Sequence, residues 1–222
     1  MNKPILAIET SETQCGASIY FSDEKYFSST INLKHSHSEK LFESVEYLFN
    51  TARIEATELD SIAVSEGPGS FTGLRIGMSA AKGIAYGASI PIIPVPTFEA
   101  LAYQLSQILP IGTHFAIVNK VNKNEVYFAK FAITSNSYIF INKLNILKLK
   151  DLKKSISGIK VFGNALKMVN PETETDNHFP FSPDPLYVAK WAERFGQERK
   201  SNDYDYLEPN YLKNFIFKER KA

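Results

Sequence analysis

A single cysteine, Cys15, among 222 residues leaves nothing to pair with and excludes an internal disulfide. Histidine is almost as scarce. Of the four, at positions 35, 37, 114 and 178, only His35 and His37 are neighbours. Their spacing cannot place two ligands one turn apart on a helix with a carboxylate base between them, so no zinc-hydrolase pattern exists. A Gly-x-Ser-x-Gly elbow is missing too, and Cys15 lies in an apolar-rich stretch that suits a structural thiol. No apolar run approaches the roughly 20 residues that span a bilayer. The first ten residues lack the apolar core and small-residue cleavage site of a secretory signal, so a cytoplasmic location with no membrane contact is expected. Charge excess is absent as well: 25 basic residues face 24 acidic ones, so no global field draws nucleic acid, and RNA contact requires a local patch or a partner.

What remains is 44% hydrophobic, enough for a sizeable core. Short apolar segments at 5–9, 14–21 and 25–33, separated by polar breaks, predict an antiparallel meander. Leu41, Phe42, Val45, Leu48, Phe49 and Ala52 then recur at helical spacing, preceded by a capping-box pattern at Ser36 and Glu39. A strand at 61–66, a small-residue helix to about Gly87 and a strand at 90–95 follow. Two strands each reached through a helix favour parallel pairing, which gives the order of an RNase H-like α/β fold. After a helix at 97–109 the pattern partly restarts, with strands at 113–119, 125–133, 138–144 and 160–162 and a helix at about 184–195. These predict a first lobe over 1–109 and a smaller, degenerate second lobe over 110–222. The segment 170–185, with four of the eleven prolines, reads as a surface crossing.

The run Gly67-Pro68-Gly69-Ser70-Phe71-Thr72-Gly73-Leu74-Arg75 stands at a strand-to-helix junction, where backbone amides can bind phosphate. It lacks the Gly-Lys-Ser/Thr ending of a Walker loop, and Thr72 stands where the dinucleotide fingerprint needs glycine. The other reading is geometric: a sharp turn capped by Ser70 or Thr72, feeding a helix whose Gly73, Gly77, Ala80, Ala81, Gly83 and Gly87 keep its surface small. Helical glycines each cost about 1 kcal/mol against alanine, so a close neighbour should offset them. That neighbour is the helix of Leu41–Ala52 or a helix of another molecule. Glu9, followed by Thr10 and Ser11 at the first strand's end, could hold a hydrated magnesium, or form a plain polar turn.

Taken together these segments resemble the TsaB family, the smaller paralogue of TsaD among actin-like ATPases. The resemblance rests on Ile5-Leu6-Ala7-Ile8-Glu9-Thr10-Ser11, His37-Ser38-Glu39 with Leu41, and above all the run from Gly67 to Arg75 with Gly77 and Ala81-Lys82-Gly83. It extends to Val95-Pro96-Thr97-Phe98-Glu99-Ala100-Leu101-Ala102, to Glu125-Val126-Tyr127 and to Glu208-Pro209 with Tyr211-Leu212-Lys213. It implies two actin-like lobes and a scaffold role in making threonylcarbamoyladenosine beside the anticodon of transfer RNA. TsaD would transfer the group, the ATPase TsaE would join the complex, and transfer RNA would be met through that complex; a homodimer is the alternative pairing.

The resemblance also implies no catalytic residue, metal or cofactor of the chain's own, with ATP and metal left to the partners. Thr97 and Leu101 stand where TsaD-like proteins carry two metal-binding histidines, and neither can replace an imidazole. Glu9, Thr10 and Ser11 would be a vestigial nucleotide site. The partner surface is expected at His37, Leu41, Val45, Gly69, Ser70, Thr72, Gly73, Arg75, Ile76, Gly77 and Ala80. Rival readings are an ATP-dependent phosphotransferase of this fold and a glycoprotease-like metallopeptidase. Lys120-Val121-Asn122 departs from the family's Asp-Ala-Arg, and Lys213 replaces its final arginine, keeping charge but losing the bidentate fork.

Overall fold

The computed structural model describes residues 3–32, 37–135, 137–169 and 182–212. The first sheet is built from β1 (Ile5–Glu9), β2 (Cys15–Ser22), β3 (Lys25–Ile31), β4 (Ser61–Gly67) and β5 (Ile92–Pro96), in the order β3-β2-β1-β4-β5. β2 runs antiparallel to β1 and β3, whereas β4 and β5 run parallel to β1, each reached through a helix, α1 (His37–Ala52) and α2 (Phe71–Ala88). This is the RNase H-like order.

All five residues of β1 are buried, because the sheet is covered on both sides. Alternation divides them. Leu6, Ile8, Ile62, Val64 and Ile92 pack with α1 and α2 through Leu41, Val45, Leu48 and Met78. Ile5, Ala7, Ala63, Ile93 and Val95 face the opposite way, against Ala100, Tyr103, Val188, Ala189 and Trp191.

The second sheet holds β6 (His114–Lys120), β7 (Glu125–Ile133), β8 (Tyr138–Lys148) and β9 (Lys160–Phe162), in the order β8-β7-β6-β9. Its first three strands form an antiparallel meander and β9 lies parallel to β6. That repeats the order of the first sheet without a fifth strand among the described residues. One face packs on α3 (Thr97–Ser106) through Phe98, Leu101, Ala102 and Leu105, a stripe at helical spacing. The other is covered by α4 (Leu149–Ser155), through Leu152, by Ala165 and by Met168 of α5 (Leu166–Val169). Since α3 turns Ala100 and Tyr103 to the first sheet and Phe98 and Leu101 to the second, the lobes share one helix.

The chain does not stay in the second lobe over 110–222 as expected. α6 (Pro185–Phe195), capped by the Asp184 side chain, packs on β1, β2 and β3 of the first sheet, because Val188, Ala189 and Trp191 form one apolar stripe on it. The following segment stays there: Ser201 bridges to Ile92, and the Asn210 amide donates to the Glu66 carbonyl at 2.7 Å. The expected crossing at 170–185 lies mostly outside the described residues, as do Ser36 of the capping box, His35, His178 and Lys213.

Candidate functional site

Glu9 ends β1, and it is wholly buried together with Thr10 and Ser11. One carboxylate oxygen accepts from the Ser11 amide at 2.6 Å and the Ser11 hydroxyl at 2.5 Å, and the other accepts from the Ser65 hydroxyl on β4. Thr10 donates its hydroxyl to the Gly73 carbonyl at 2.8 Å. The Ser70 amide, at the head of α2, donates to the Ser11 carbonyl at 2.6 Å, and the Ser70 side chain caps the Gly73 amide at 3.2 Å. So the hydroxyls that could touch a phosphate, and two amides of the glycine-rich turn, are already engaged within the chain. The geometric reading of the run from Gly67 to Arg75 fits this arrangement, and Ser70 is the cap.

The small residues serve a neighbour that the sequence reading did not offer. A Cβ on Gly69 would meet the Ser11 carbonyl, one on Gly73 the Thr10 carbonyl, and one on Gly77 the Thr10 hydroxyl, each at under 3.0 Å. The close approach is by the turn after β1, not by a second helix. Leu41 and Val45, expected at the partner surface, are 0% and 5% exposed inside the first core; the helical stripe that marks them is the stripe that faces the sheet. Gly73, Gly77 and Ala80 are likewise buried, and the side chain of His37 is outside the described residues. Of the expected partner residues, Thr72 and Arg75 remain exposed, Gly69 and Ile76 are partly exposed and Ser70 is exposed.

What α1 and α2 do present is an open groove of about 490 Å³ that takes in four of the expected partner residues, Thr72, Arg75, Ile76 and Ala80, and adds Phe42, Phe71 and Ser79. Phe42 is 54% exposed, Tyr47 62% and Tyr86 77%, large apolar side chains on the outward faces of these two helices. The Arg75 guanidinium lies 3.9 Å from the Phe71 ring centroid, and its Nε donates to the Tyr211 hydroxyl at 3.1 Å. Tyr211 in turn packs on Phe71, with centroids 5.0 Å apart, so the C-terminal segment braces one end of the groove.

A second feature escaped the sequence. Glu12, in the turn after β1, accepts from the Asn119 side-chain amide at 3.1 Å and the Asn164 side-chain amide at 2.5 Å, both in the second lobe. The Asn164 backbone amide donates to the Asn119 side-chain oxygen at 3.0 Å, and Gly163, at φ +111°, brings that loop against Val118. The cleft between the lobes is thus clasped across Glu12.

Burial pushes the Glu9 carboxyl up to about 7, against the opposing hydrogen bonds from Ser11 and Ser65. Glu12 is pushed to about 8, by burial first and by the charge of Glu9. An acid whose folded pKa is raised keeps its proton while the unfolded chain releases one, so the contribution of these two acids to stability falls as pH rises from about 4.5 to about 7 for Glu9 and about 8 for Glu12. For the fully buried Glu9 the loss is about 1.4 kcal/mol per pH unit. Thermal unfolding followed from pH 5 to pH 8 should show the midpoint falling, and Glu9→Gln should flatten that fall; a midpoint rising with pH would contradict the burial of these carboxyls.

The positions compared with metal ligands in TsaD-like proteins are packing positions. The Thr97 hydroxyl accepts from the Gly67 amide at 3.1 Å, and Leu101 is 1% exposed between the lobes. Among the described residues no three His, Cys, Asp or Glu side chains are grouped so as to hold a metal ion, and no helix is long and apolar enough to cross a membrane. Cys15 is buried in β2, its thiol pushed up to about 11, first by burial.

Comparison with known proteins agrees with this geometry. The family model described as TsaD, tRNA N6-adenosine threonylcarbamoyltransferase, matches residues 31–192. A tRNA threonylcarbamoyladenosine biosynthesis protein TsaB of Buchnera aphidicola subsp. Baizongia pistaciae is 30% identical over 162 residues, covering 72% of this chain and 72% of that protein. The TsaB of Haemophilus influenzae is 28% identical over 58% of this chain, and the match spans only 54% of that protein's length. Among solved structures, a Pseudomonas aeruginosa protein described as similar to peptidase YEAZ has a TM-score of 0.76 at 20% identity, over 96% of this chain and all of that one, a likeness of fold. By the family model that matches most of its length and by the identity shared with TsaB relatives, the chain belongs to the TsaB family.

Proposed function

We propose that this chain is the non-catalytic subunit that pairs with a TsaD homologue in threonylcarbamoyladenosine modification of transfer RNA, and that the groove between α1 and α2 is the pairing surface. The observation that carries the reading is the open groove on which Phe42 of α1 and Phe71, Arg75 and Ile76 of α2 converge, with the Phe42 ring more than half exposed. Water-exposed rings of this size gain from being covered, and aromatic residues with arginine are the usual anchors of protein interfaces. Glu9, Thr10, Ser11 and Glu12 speak for the silent half of the proposal, since their polar groups bond each other, Ser65, Gly73, Asn119 and Asn164. Opening that network to admit ATP and magnesium would leave buried polar groups unpaired. ATP and metal accordingly belong to the partners, with TsaE joining the pair and transfer RNA met through the complex in the cytoplasm.

The test is co-purification with the TsaD homologue after substitution of outward residues of α2. Ser79→Arg and Thr72→Arg, both at exposed positions of the groove, should abolish the complex while leaving a folded chain; a complex retained by both would overturn the proposed surface. Gly77 is no place for this test, because any side chain there strikes Thr10 inside the fold. Should the same variants convert a dimer of the isolated chain to a monomer, the surface is shared between self-pairing and TsaD. Calorimetry of the isolated chain with ATP and magnesium checks the cleft: no binding heat is expected, and tight binding would favour a phosphotransferase.

A further inference from the structure

The near-neutral net charge conceals a polarised molecule. Between residues 120 and 169 there are ten lysines and two acids, Glu125 and Asp151, leaving fifteen basic against twenty-two acidic residues in the rest of the chain. The lysines belong to the second lobe, and six of them gather at one end of its sheet. Lys120 ends β6, Lys123 stands in the β6–β7 turn, Lys148 ends β8, and Lys150, Lys153 and Lys154 are exposed on α4. The Leu149 amide donates to the Asn124 carbonyl at 2.8 Å and ties the start of α4 to that turn. The four ion pairs found among the described residues involve none of these lysines.

At the centre lies a groove of about 510 Å³ lined by Asn122, Asn124, Glu125, Lys148, Leu149 and Lys150. Its one acid is engaged, since the Asn122 side-chain amide donates to Glu125 at 2.5 Å and the Asn122 side-chain oxygen accepts from the Asn124 amide at 2.8 Å. Six lysines against two acids, Glu125 and Asp151, leave a net positive face whose mutual repulsion a polyanion relieves. Protein interfaces are depleted in lysine and rich in arginine and aromatic rings, whereas this patch has no arginine and no exposed ring. Mobile ammonium groups suit phosphate oxygens as point charges, and asparagine amides beside them can reach sugar hydroxyls.

We propose that this lysine face binds the phosphate backbone of RNA directly, so that the second lobe holds the transfer RNA while the first holds the partner enzyme. The inference rests on the RNA-modifying role proposed above and adds a contact made by this chain itself.

The probe is an unmodified transfer RNA transcript titrated against the complex of the full chain with its TsaD homologue, at several salt concentrations. The variants are K148E/K150E/K153E/K154E and the milder quadruple lysine-to-glutamine form. Each phosphate contact contributes roughly 0.7–0.9 to the slope of log affinity against log salt, so removing four should lower the slope by about 3 and weaken binding about tenfold or more at low salt. Unfolding midpoints equal to that of the natural sequence, and retained co-purification with TsaD, show that the fold and the pairing surface are intact. Unchanged affinity and slope in both variants would overturn the inference, as would release of TsaD, which would make the patch a protein interface. Pairing of the unsubstituted chain is measured before RNA is added, so a failure of the scaffold reading is seen separately.

Discussion

Gly73→Ala and Gly77→Ala should each destabilise the chain by about 3 kcal/mol or more, enough to leave much of it unfolded, whereas Gly83→Ala and Gly87→Ala should each stabilise it by about 0.5–1 kcal/mol. The four glycines share one helix, and intrinsic propensity favours alanine at all of them. What separates them is space. At Gly73 the new methyl would strike the Thr10 carbonyl, which is backbone fixed at the end of β1, and at Gly77 it would strike the Thr10 hydroxyl that is bonded to Gly73. Nothing lies within 4 Å of a Cβ at Gly83 or Gly87. Urea unfolding of the four variants decides the matter: four stabilising substitutions would mean that α2 does not lie against the turn after β1.

Glu9→Ala should cost about 3 kcal/mol or more at neutral pH, and Glu9→Gln far less. Alanine leaves the Ser11 amide and two serine hydroxyls without their acceptor in a site with no exposure, and it also leaves a cavity. Glutamine keeps the acceptor for Ser11 and offers an amide to the Ser65 hydroxyl, while removing the charge that burial penalises. A catalytic or metal-binding carboxylate would behave differently, because its neutral isostere would be stable but inactive. Modification activity of the reconstituted complex should therefore survive Glu9→Gln, measured alongside denaturant unfolding.

How far these features could be read from the sequence depended on how local their causes are. The strand order followed from apolar spacing and turn residues, and the cap was narrowed to Ser70 or Thr72, between which only the structure decides for Ser70. Glu12 was not legible. Its partners Asn119 and Asn164 lie 107 and 152 residues away, and a polar turn residue gives no sign of a distant amide. Leu41 and Val45 illustrate a different limit. Helical periodicity finds an apolar stripe but does not say whether core or partner covers it, and here the core takes the stripe while Phe42, one residue over, is left to the surface. The return of α6 to the first sheet was also hidden, since Val188, Ala189 and Trp191 could cover either lobe until topology places them. The ten lysines between 120 and 169 can be counted in the sequence, but only the folding of β8 and α4 around the β6–β7 turn brings six of them to one face.

The central claim, a scaffold required for another subunit's chemistry, meets its most direct test in reconstitution. Purified TsaD and TsaE homologues, threonylcarbamoyl-adenylate and an unmodified transfer RNA are combined with this chain present, omitted, or replaced by Ser79→Arg, and the modified nucleoside is quantified. Full modification with the chain and loss of it on omission or with Ser79→Arg is the expected result. Modification that proceeds equally without the chain would contradict the account.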